Sequence, residues 1–461
     1  MNIIKTLIST AILSLAAQAQ ASNVILIIGD GMDDQQITAA RNYLHGAQGQ
    51  TILSTLPVRS AVQVLTVDEN NPQQVVYVAD SANSATALAS GGITSRGRIG
   101  TSAKDNVDFK TIIEMAQQAN LKTGLVSTAS ITDATPAAFI AHVNNRGCQS
   151  PKHMVNFQSN GDRIIDCASD TKQQGGEGSI AEQLADSQVD VLLGGGLKYF
   201  KRDSEAGDMT LLAQSQKNGF EFIDSLNQAS SVDKNKKLLG LFAKGHLPVR
   251  MQGTDGRIAE KSSYSFLHFF HRYLGTVTHP ETMKCESNPE FIKQKTPDLK
   301  DLTQVALQRL NNEKGFFLMV ESASIDKQSH TRNPCGSIGE AQQLFETVQV
   351  ALDFAKQQGD TLVMITADHG QAAQIVPNGS MFDVYGVPVA SPGFTARIET
   401  PEGGVLSINY ATNDFSYEEH TGVNVPFFAN QQVKNAQGED MITALIKQPD
   451  VFEISKTFLG L

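Results

Sequence analysis

Apolar runs of one grammar recur along the chain. Val24-Ile25-Leu26-Ile27-Ile28 stops at Gly29-Asp30-Gly31, and Val189-Asp190-Val191-Leu192-Leu193 stops at Gly194-Gly195-Gly196. Phe316-Phe317-Leu318-Met319-Val320 ends at Glu321, and Leu362-Val363-Met364-Ile365 runs up to Asp368-His369-Gly370. Leu125-Val126 leads into a Ser/Thr/Asp stretch. Runs apolar at consecutive positions predict strands buried on both faces, as a parallel sheet requires. Helical periodicity lies between them, over residues 109–119, 180–187, 302–311 and 340–357. This alternation predicts an α/β three-layer sandwich, with a central, mostly parallel sheet flanked by helices. Residues from about 200 to 300 are more polar and less regular, and read as surface insertions. Residues 376–415 are rich in glycine and proline and read as a small inserted cap.

Polar residues punctuate the same pattern. Asp30, Glu321, Asp368 and His369 each fall where an apolar strand ends. In open α/β sheets that carboxyl edge is where ligands bind. Acidic groups gathered there repel one another unless cations sit between them, so the set predicts a metal cluster. In Tyr77-Val78-Ala79-Asp80-Ser81-Ala82-Asn83-Ser84-Ala85, Ser81 opens a run of small residues suited to a helix. It reads either as a helix N-cap or as a nucleophile at a positive helix end.

Composition narrows the function classes. The 461 residues carry 37 basic and 48 acidic side chains, a formal net charge of −11. With 40% hydrophobic residues, the chain is neither disordered nor collagenous. The acidic surplus argues against nucleic acid or anionic lipid as a specific partner. It would also disfavour an anionic substrate, unless bound cations reverse the local charge. Lys5, an apolar run from Thr6 to Ala17, and Ala19-Gln20-Ala21 form a secretory leader, residues 1–21, with cleavage expected after Ala21. The expectation is therefore export to the periplasm without a membrane anchor, and one large domain over residues 22–461. Four cysteines in an exported chain predict two disulfides among three possible pairings; proximity favours Cys148–Cys167 and Cys285–Cys335.

Several segments together resemble the alkaline phosphatases of the bacterial Asp/Lys type. Asp80-Ser81-Ala82-Asn83-Ser84-Ala85-Thr86-Ala87 is similar to that family's nucleophile signature, and Gly29-Asp30-Gly31-Met32 to its first metal-binding turn. Asp133-Ala134-Thr135-Pro136, followed by Arg146, resembles the magnesium and phosphate-arginine segment. Glu321 with Asp326-Lys327-Gln328-Ser329-His330, Thr366-Ala367-Asp368-His369-Gly370, and Glu419-His420-Thr421-Gly422 resemble the remaining metal segments. Their order agrees from about residue 23 to 460. The resemblance implies two Zn²⁺ and one Mg²⁺ per chain. Asp326, His330 and His420 would hold one zinc, and Asp30, Asp368 and His369 the other. Thr135, Glu321 and a shared Asp30 would hold magnesium, with Asp133 and Lys327 acting behind the ligands. The residue types suit these ions, since zinc favours imidazole and carboxylate and magnesium takes oxygen.

The implied activity is hydrolysis of small phosphate monoesters through a phosphoserine on Ser81, with Arg146 gripping the phosphoryl oxygens. A homodimer is the family expectation, although the first strand begins at Asn23 or Val24 and leaves no long N-terminal arm. Asp33 stands where the family usually has glycine. A sulfatase or phosphodiesterase of the same superfamily is the near alternative, and a periplasmic phosphate-binding protein the distant one. Ser81-Ala82-Asn83-Ser84 does not supply the Cys/Ser-x-Pro-x-Arg context that a sulfatase needs. His268 and His271 sit three residues apart but have no carboxylate at a useful spacing, and read as packing or surface groups. His142 reads as structural.

Overall fold

Burial on both faces is what the apolar runs achieve. The computed structural model describes residues 22–158 and 164–461, so the expected leader lies outside the described residues. Ten strands form the central sheet. In chain order they are Ser22–Gly29 (β1), Val58–Gln63 (β2), Lys122–Ser130 (β3), Val191–Gly195 (β4) and Phe220–Ile223 (β5), then Lys237–Leu241 (β6), Gly315–Ser322 (β7), Thr361–Ala367 (β8), Val425–Ala429 (β9) and Leu445–Lys447 (β10). Their spatial order is β10-β2-β9-β8-β1-β7-β3-β4-β6-β5. Only β9 runs against its neighbours β8 and β2. Val24 to Ile28 are wholly buried in the middle of this sheet. Full burial of such a side chain contributes about 1.5–3 kcal/mol.

Helices cover both faces. They are Asp34–His45 (α1), Ser81–Ser90 (α2), Ile112–Gln118 (α3), Ile180–Asp186 (α4), Leu299–Leu310 (α5), Ser324–His330 (α6), Pro334–Gln358 (α7) and Gln448–Leu459 (α8). α2, α3 and α8 pack together on one face, while α1, α5 and α6 gather around α7 on the other. This is the expected three-layer sandwich. α7 begins six residues before its periodic pattern, because Asn333 caps Gly336 N–H and Pro334 fits the first helical position.

Part of the region read as surface insertion belongs to the sheet. Phe220–Ile223 and Lys237–Leu241 pair in parallel and extend its edge beyond β4. Strands of four and five residues are too short to announce themselves by periodicity. The glycine- and proline-rich segment supplies Phe394–Glu399 and Val405–Tyr410 to a separate four-stranded sheet. That sheet also takes in Thr282–Met283 and Gln374–Val376, and Ile398, Ile408 and Tyr410 are buried in its own apolar cluster.

Both disulfides take the pairing that proximity favoured, Cys148–Cys167 and Cys285–Cys335, with Cα separations of 6.5 and 5.3 Å. Among the described residues no helix is long and apolar enough to cross a membrane.

Strand register sets up the site. β1 lies between β7 and β8, with Ile28 level with Glu321 and Thr366, and Gly29 level with Ser322 and Ala367. Asp30, Glu321 and Asp368 therefore emerge within two residues of one another along a single sheet edge.

Candidate active site

The nucleophile candidate is placed by its neighbour. Asp80, not Ser81, caps α2. Its carboxylate accepts from Asn83 N–H at 3.1 Å, while the Asn83 side chain accepts from Asp80 N–H at 2.8 Å. Ser81 is thereby the first helical residue, at the positive end of the helix. Ala82, Ser84 and Ala85 are buried, and such small side chains let α2 pack closely on α8. The Ser81 Oγ lies 3.2 Å from His369 Nε2.

Around that nitrogen the carboxylates converge. His369 Nε2 is 3.5 Å from Asp30 Oδ1 and 3.4 Å from Asp368 Oδ2. Both oxygens are buried and make no hydrogen bond. A second group adjoins the first. His330 Nε2 lies 3.0 Å from His420 Nε2, and Asp326 reaches them at 3.3 and 3.4 Å. Asp326 also closes a triangle with Asp30 and His369, their ligand atoms lying within 4.8 Å of one another.

All three imidazoles are oriented alike. Each turns Nδ1 to a backbone carbonyl: His369 to Gly370, His420 to Ala79 and His330 to Glu418. A carbonyl only accepts, so Nδ1 donates and Nε2 is the atom each ring turns inward, the atom a histidine offers to a metal. Burial pushes Asp30 well above the ordinary carboxylate range, reinforced by the Asp326 and Asp368 charges. Burial likewise holds the His369 imidazole down to about 4. Unpaired buried carboxylate oxygens beside inward Nε2 atoms are a donor set for cations, and the residue types fit zinc.

The third group lies on the β3 side. Glu321 accepts from Ser127 Oγ across the β7–β3 pairing. Burial raises the Glu321 carboxyl to about 7. Thr135 Oγ1 is buried without a hydrogen-bond partner. These oxygen donors fit a hard cation such as magnesium. Lys327 Nζ sits 2.8 Å from Asp133 and 3.8 Å from Asp30. Although burial opposes it, Lys327 holds Asp133 ionised far below the usual range, with lesser help from His246 and Arg146.

Arg146 is held between two carboxylates, 3.3 Å from Asp80 and 3.5 Å from Asp133. With Ser81, Lys327, His330 and His420 it lines a cavity of about 1000 Å³. Phosphate could enter that cavity between the Arg146 fork and the histidines. Ser81, Asp133, Arg146, Asp326, Lys327, His330 and His420 line this one cavity, while Asp30, Glu321, Asp368 and His369 lie at the sheet edge.

A family model described as alkaline phosphatase matches residues 21–437. The chain belongs to the alkaline phosphatase family. It is 39% identical to the alkaline phosphatase of Escherichia coli (strain K12) over 450 residues, covering 96% of this chain and 86% of that one. It is 37% identical to alkaline phosphatase H of Pseudomonas aeruginosa, covering 96% and 86%. The solved alkaline phosphatase of the Antarctic bacterium TAB5 superposes with a TM-score of 0.65 at 22% identity, over 96% of this chain and 98% of that one, and shares the fold. This alkaline phosphatase is a metal-dependent hydrolase of phosphate monoesters.

Some of the phosphatase's site residues were not legible in sequence. Asp80 doubles as helix cap and Arg146 anchor, and Gln371 holds Asp326 through an Nε2–Oδ1 bond of 2.5 Å. His246 reaches the cavity from an irregular loop, 3.9 Å from Asp133, and burial lowers it to about 4. Tyr417 stacks on His330. For Asp80 the signal was present in its place beside Ser81; for the others no pattern marked them. Asp33, in place of the family's glycine, caps α1 and accepts from Gln371 N–H at 3.2 Å, so it ties the first turn to the segment after β8. His268 stacks on Tyr264, and His271 accepts from Tyr273 N–H, away from the site.

Proposed function

We propose that Ser81 is the nucleophile of the monoesterase and that two Zn²⁺ and one Mg²⁺ complete its site. One observation carries the reading: Ser81 Oγ, Asp30 Oδ1 and Asp368 Oδ2 converge on His369 Nε2, and both carboxylate oxygens are buried without a hydrogen bond. Asp30, Asp368 and His369 would hold one zinc beside Ser81. Asp326, His330 and His420 would hold the other, where the leaving oxygen departs. Thr135, Glu321 and Asp30 would hold magnesium. When bound, such ions act as Lewis acids that favour the alkoxide forms of Ser81 and of the leaving group.

The chain's own groups do the rest. The positive end of α2 favours negative charge on Ser81 Oγ. That oxygen attacks phosphorus in line as the ester oxygen leaves on the opposite side, giving phosphoserine; water then attacks phosphorus and Ser81 departs. Arg146, held in place by Asp80 and Asp133, offers its fork to two non-bridging oxygens, a bidentate grip that lysine cannot copy. Lys327 and Asp133 remain paired and keep the charge balance beside the phosphate.

The experiment is hydrolysis of 4-nitrophenyl phosphate against pH, with chelator and then with zinc restored. Activity should vanish with the metal and return with zinc, and Ser81→Ala should abolish turnover while keeping bound zinc. Activity surviving full metal removal would sink the mechanism. Preference for the sulfate ester or the diester would sink the site's proposed match to phosphate monoesters.

Residues 22–461 form one catalytic domain with residues 376–415 as its cap, and the mature enzyme is periplasmic after cleavage at Ala21. The two disulfides support that oxidising location. A second copy of the chain is the proposed partner.

A further inference from the structure

The cavity above Ser81 is lined by charged and polar groups around the nucleophile, with Ile165, Leu247, Pro248 and Val249 as its aliphatic part. Among the described residues lining it, Tyr417 supplies the one phenyl or phenol ring. That ring lies over His330, centroids 4.8 Å apart and planes 23° from parallel, and the residue remains 49% exposed. One face is therefore taken by the imidazole while the other is open.

The ring also continues an aromatic series that leads to the nucleophile. His330 lies 4.9 Å from His420, His420 stacks on His369 at 3.6 Å, and His369 meets Ser81. Hydrogen bonds anchor its backbone. Asn413 Nδ2 holds Tyr417 O at 2.9 Å. The next residue, Glu418, is buried against Arg332 at 2.6 Å, and its N–H donates to His330 O at 3.0 Å. An aromatic side chain fixed in this way binds a planar group with little ordering cost.

We propose that Tyr417 is a specificity-determining residue whose open ring face receives a planar aromatic leaving group, so that the enzyme favours aryl phosphates over alkyl phosphates. The proposal rests on the reading above, which places the departing oxygen at the Asp326, His330 and His420 group. The phosphoryl group sits between Ser81 and Arg146, and its ester substituent then points out past His330 toward Tyr417. Offset stacking of aromatic rings is worth a factor of about two to ten in affinity. The contact is made equally in the bound substrate and in the transition state, so it acts on KM rather than kcat.

The test compares phenyl phosphate with glycerol phosphate on the zinc-loaded enzyme. Tyr417→Ala should raise KM for phenyl phosphate roughly two- to tenfold more than KM for glycerol phosphate, and Tyr417→Phe should keep the wild-type ratio of the two. Equal losses on both esters would mean that the ring acts only by steadying His330, and would overturn the proposal, as would no change on either. Zinc content measured in each variant keeps these outcomes separate. Turnover that persists in Ser81→Ala would defeat the reading of the site itself, and the proposal with it.

Discussion

At the scale of single residues, Asp80 decides two things at once. Its carboxylate caps α2, which releases Ser81 from that duty, and it holds Arg146 at 3.3 Å. The sequence left Ser81 open between cap and nucleophile because a serine ahead of small residues serves either purpose. The contact that settles its position, with His369, joins residues 288 positions apart. Asp30, Glu321, Asp368 and His369 stood out as candidate ligands for a different reason: they follow or end strands, where chemistry and local pattern coincide, whereas Asp326 and His330 lie on α6 and His420 on a loop. Removing the fork in Arg146→Ala should raise KM for monoesters and Ki for inorganic phosphate about 10- to 100-fold, the value of a charge-assisted bidentate contact. Arg146→Lys should recover little of it. Asp80→Asn separates the two roles of that residue. Asparagine caps as well as aspartate, so thermal stability should stay near wild type while KM rises by a few-fold as Arg146 loses its anchor. A fall in melting temperature without a change in KM would assign Asp80 to the cap alone.

Elements show where local pattern suffices and where it fails. β1, β7 and β8 were legible because strands buried on both faces are apolar at every position. β5 and β6 were missed because strands of four and five residues are too short to show a period, and β5, at the edge, is also half-polar. Helix α3 illustrates an element tied down by a group that pattern alone read only as structural. Thr111 and Glu114 cap it reciprocally, and Glu114 also reaches His142 Nε2 at 3.5 Å. His142 Nδ1 meets Gly100 O at 3.0 Å. With an acceptor at both ring nitrogens, the imidazole holds both protons. Burial opposes this charge, yet the Glu114 and Gly100 contacts raise the group to about 9. The folded value lies above the unfolded one of about 6.5, so the pair's contribution is complete below pH 6.5 and is lost as pH climbs through about 9. Glu114 is partly solvated, which limits the contribution to about 1–2 kcal/mol. Wild type should therefore lose about 1–2 °C of melting temperature relative to His142→Gln between pH 6.5 and 9. Parallel stability profiles for the two proteins across that window would refute the ion pair.

Across the whole molecule, net charge and surface say different things. The formal charge of −11 describes the apoprotein. Part of that acidity is buried at one sheet edge, in Asp30, Glu321, Asp326 and Asp368, where cations would reverse its sign. The apolar surface was hidden in sequence, since an aromatic stretch reads equally as core. Here Phe266, Phe269 and Phe270 are 75, 84 and 65% exposed on the segment between the paired strands Ser263–Tyr264 and Val277–Thr278. Met381, Val384 and Tyr385 are 74, 85 and 80% exposed on the glycine- and proline-rich segment, which Ala390 N–H ties to Tyr264 Oη at 3.2 Å. At about 150–250 Å² per aromatic side chain, this surface offers on the order of 800 Å². That exceeds the largest patch of a typical monomer and matches one side of a standard interface. An anionic membrane is a poor occupant for so acidic a chain. A second copy fits better. Arg272 and Asp383 are the formal charges within residues 264–274 and 381–385, and a two-fold axis would let each face the other's counterpart. Sedimentation should give a dimer for the zinc-loaded enzyme, and Phe269→Ser with Phe270→Ser should shift it to monomer while the Ser81 site keeps its zinc. A monomeric wild type would end the dimer proposal, and a dimer untouched by both substitutions would move the interface elsewhere on the surface.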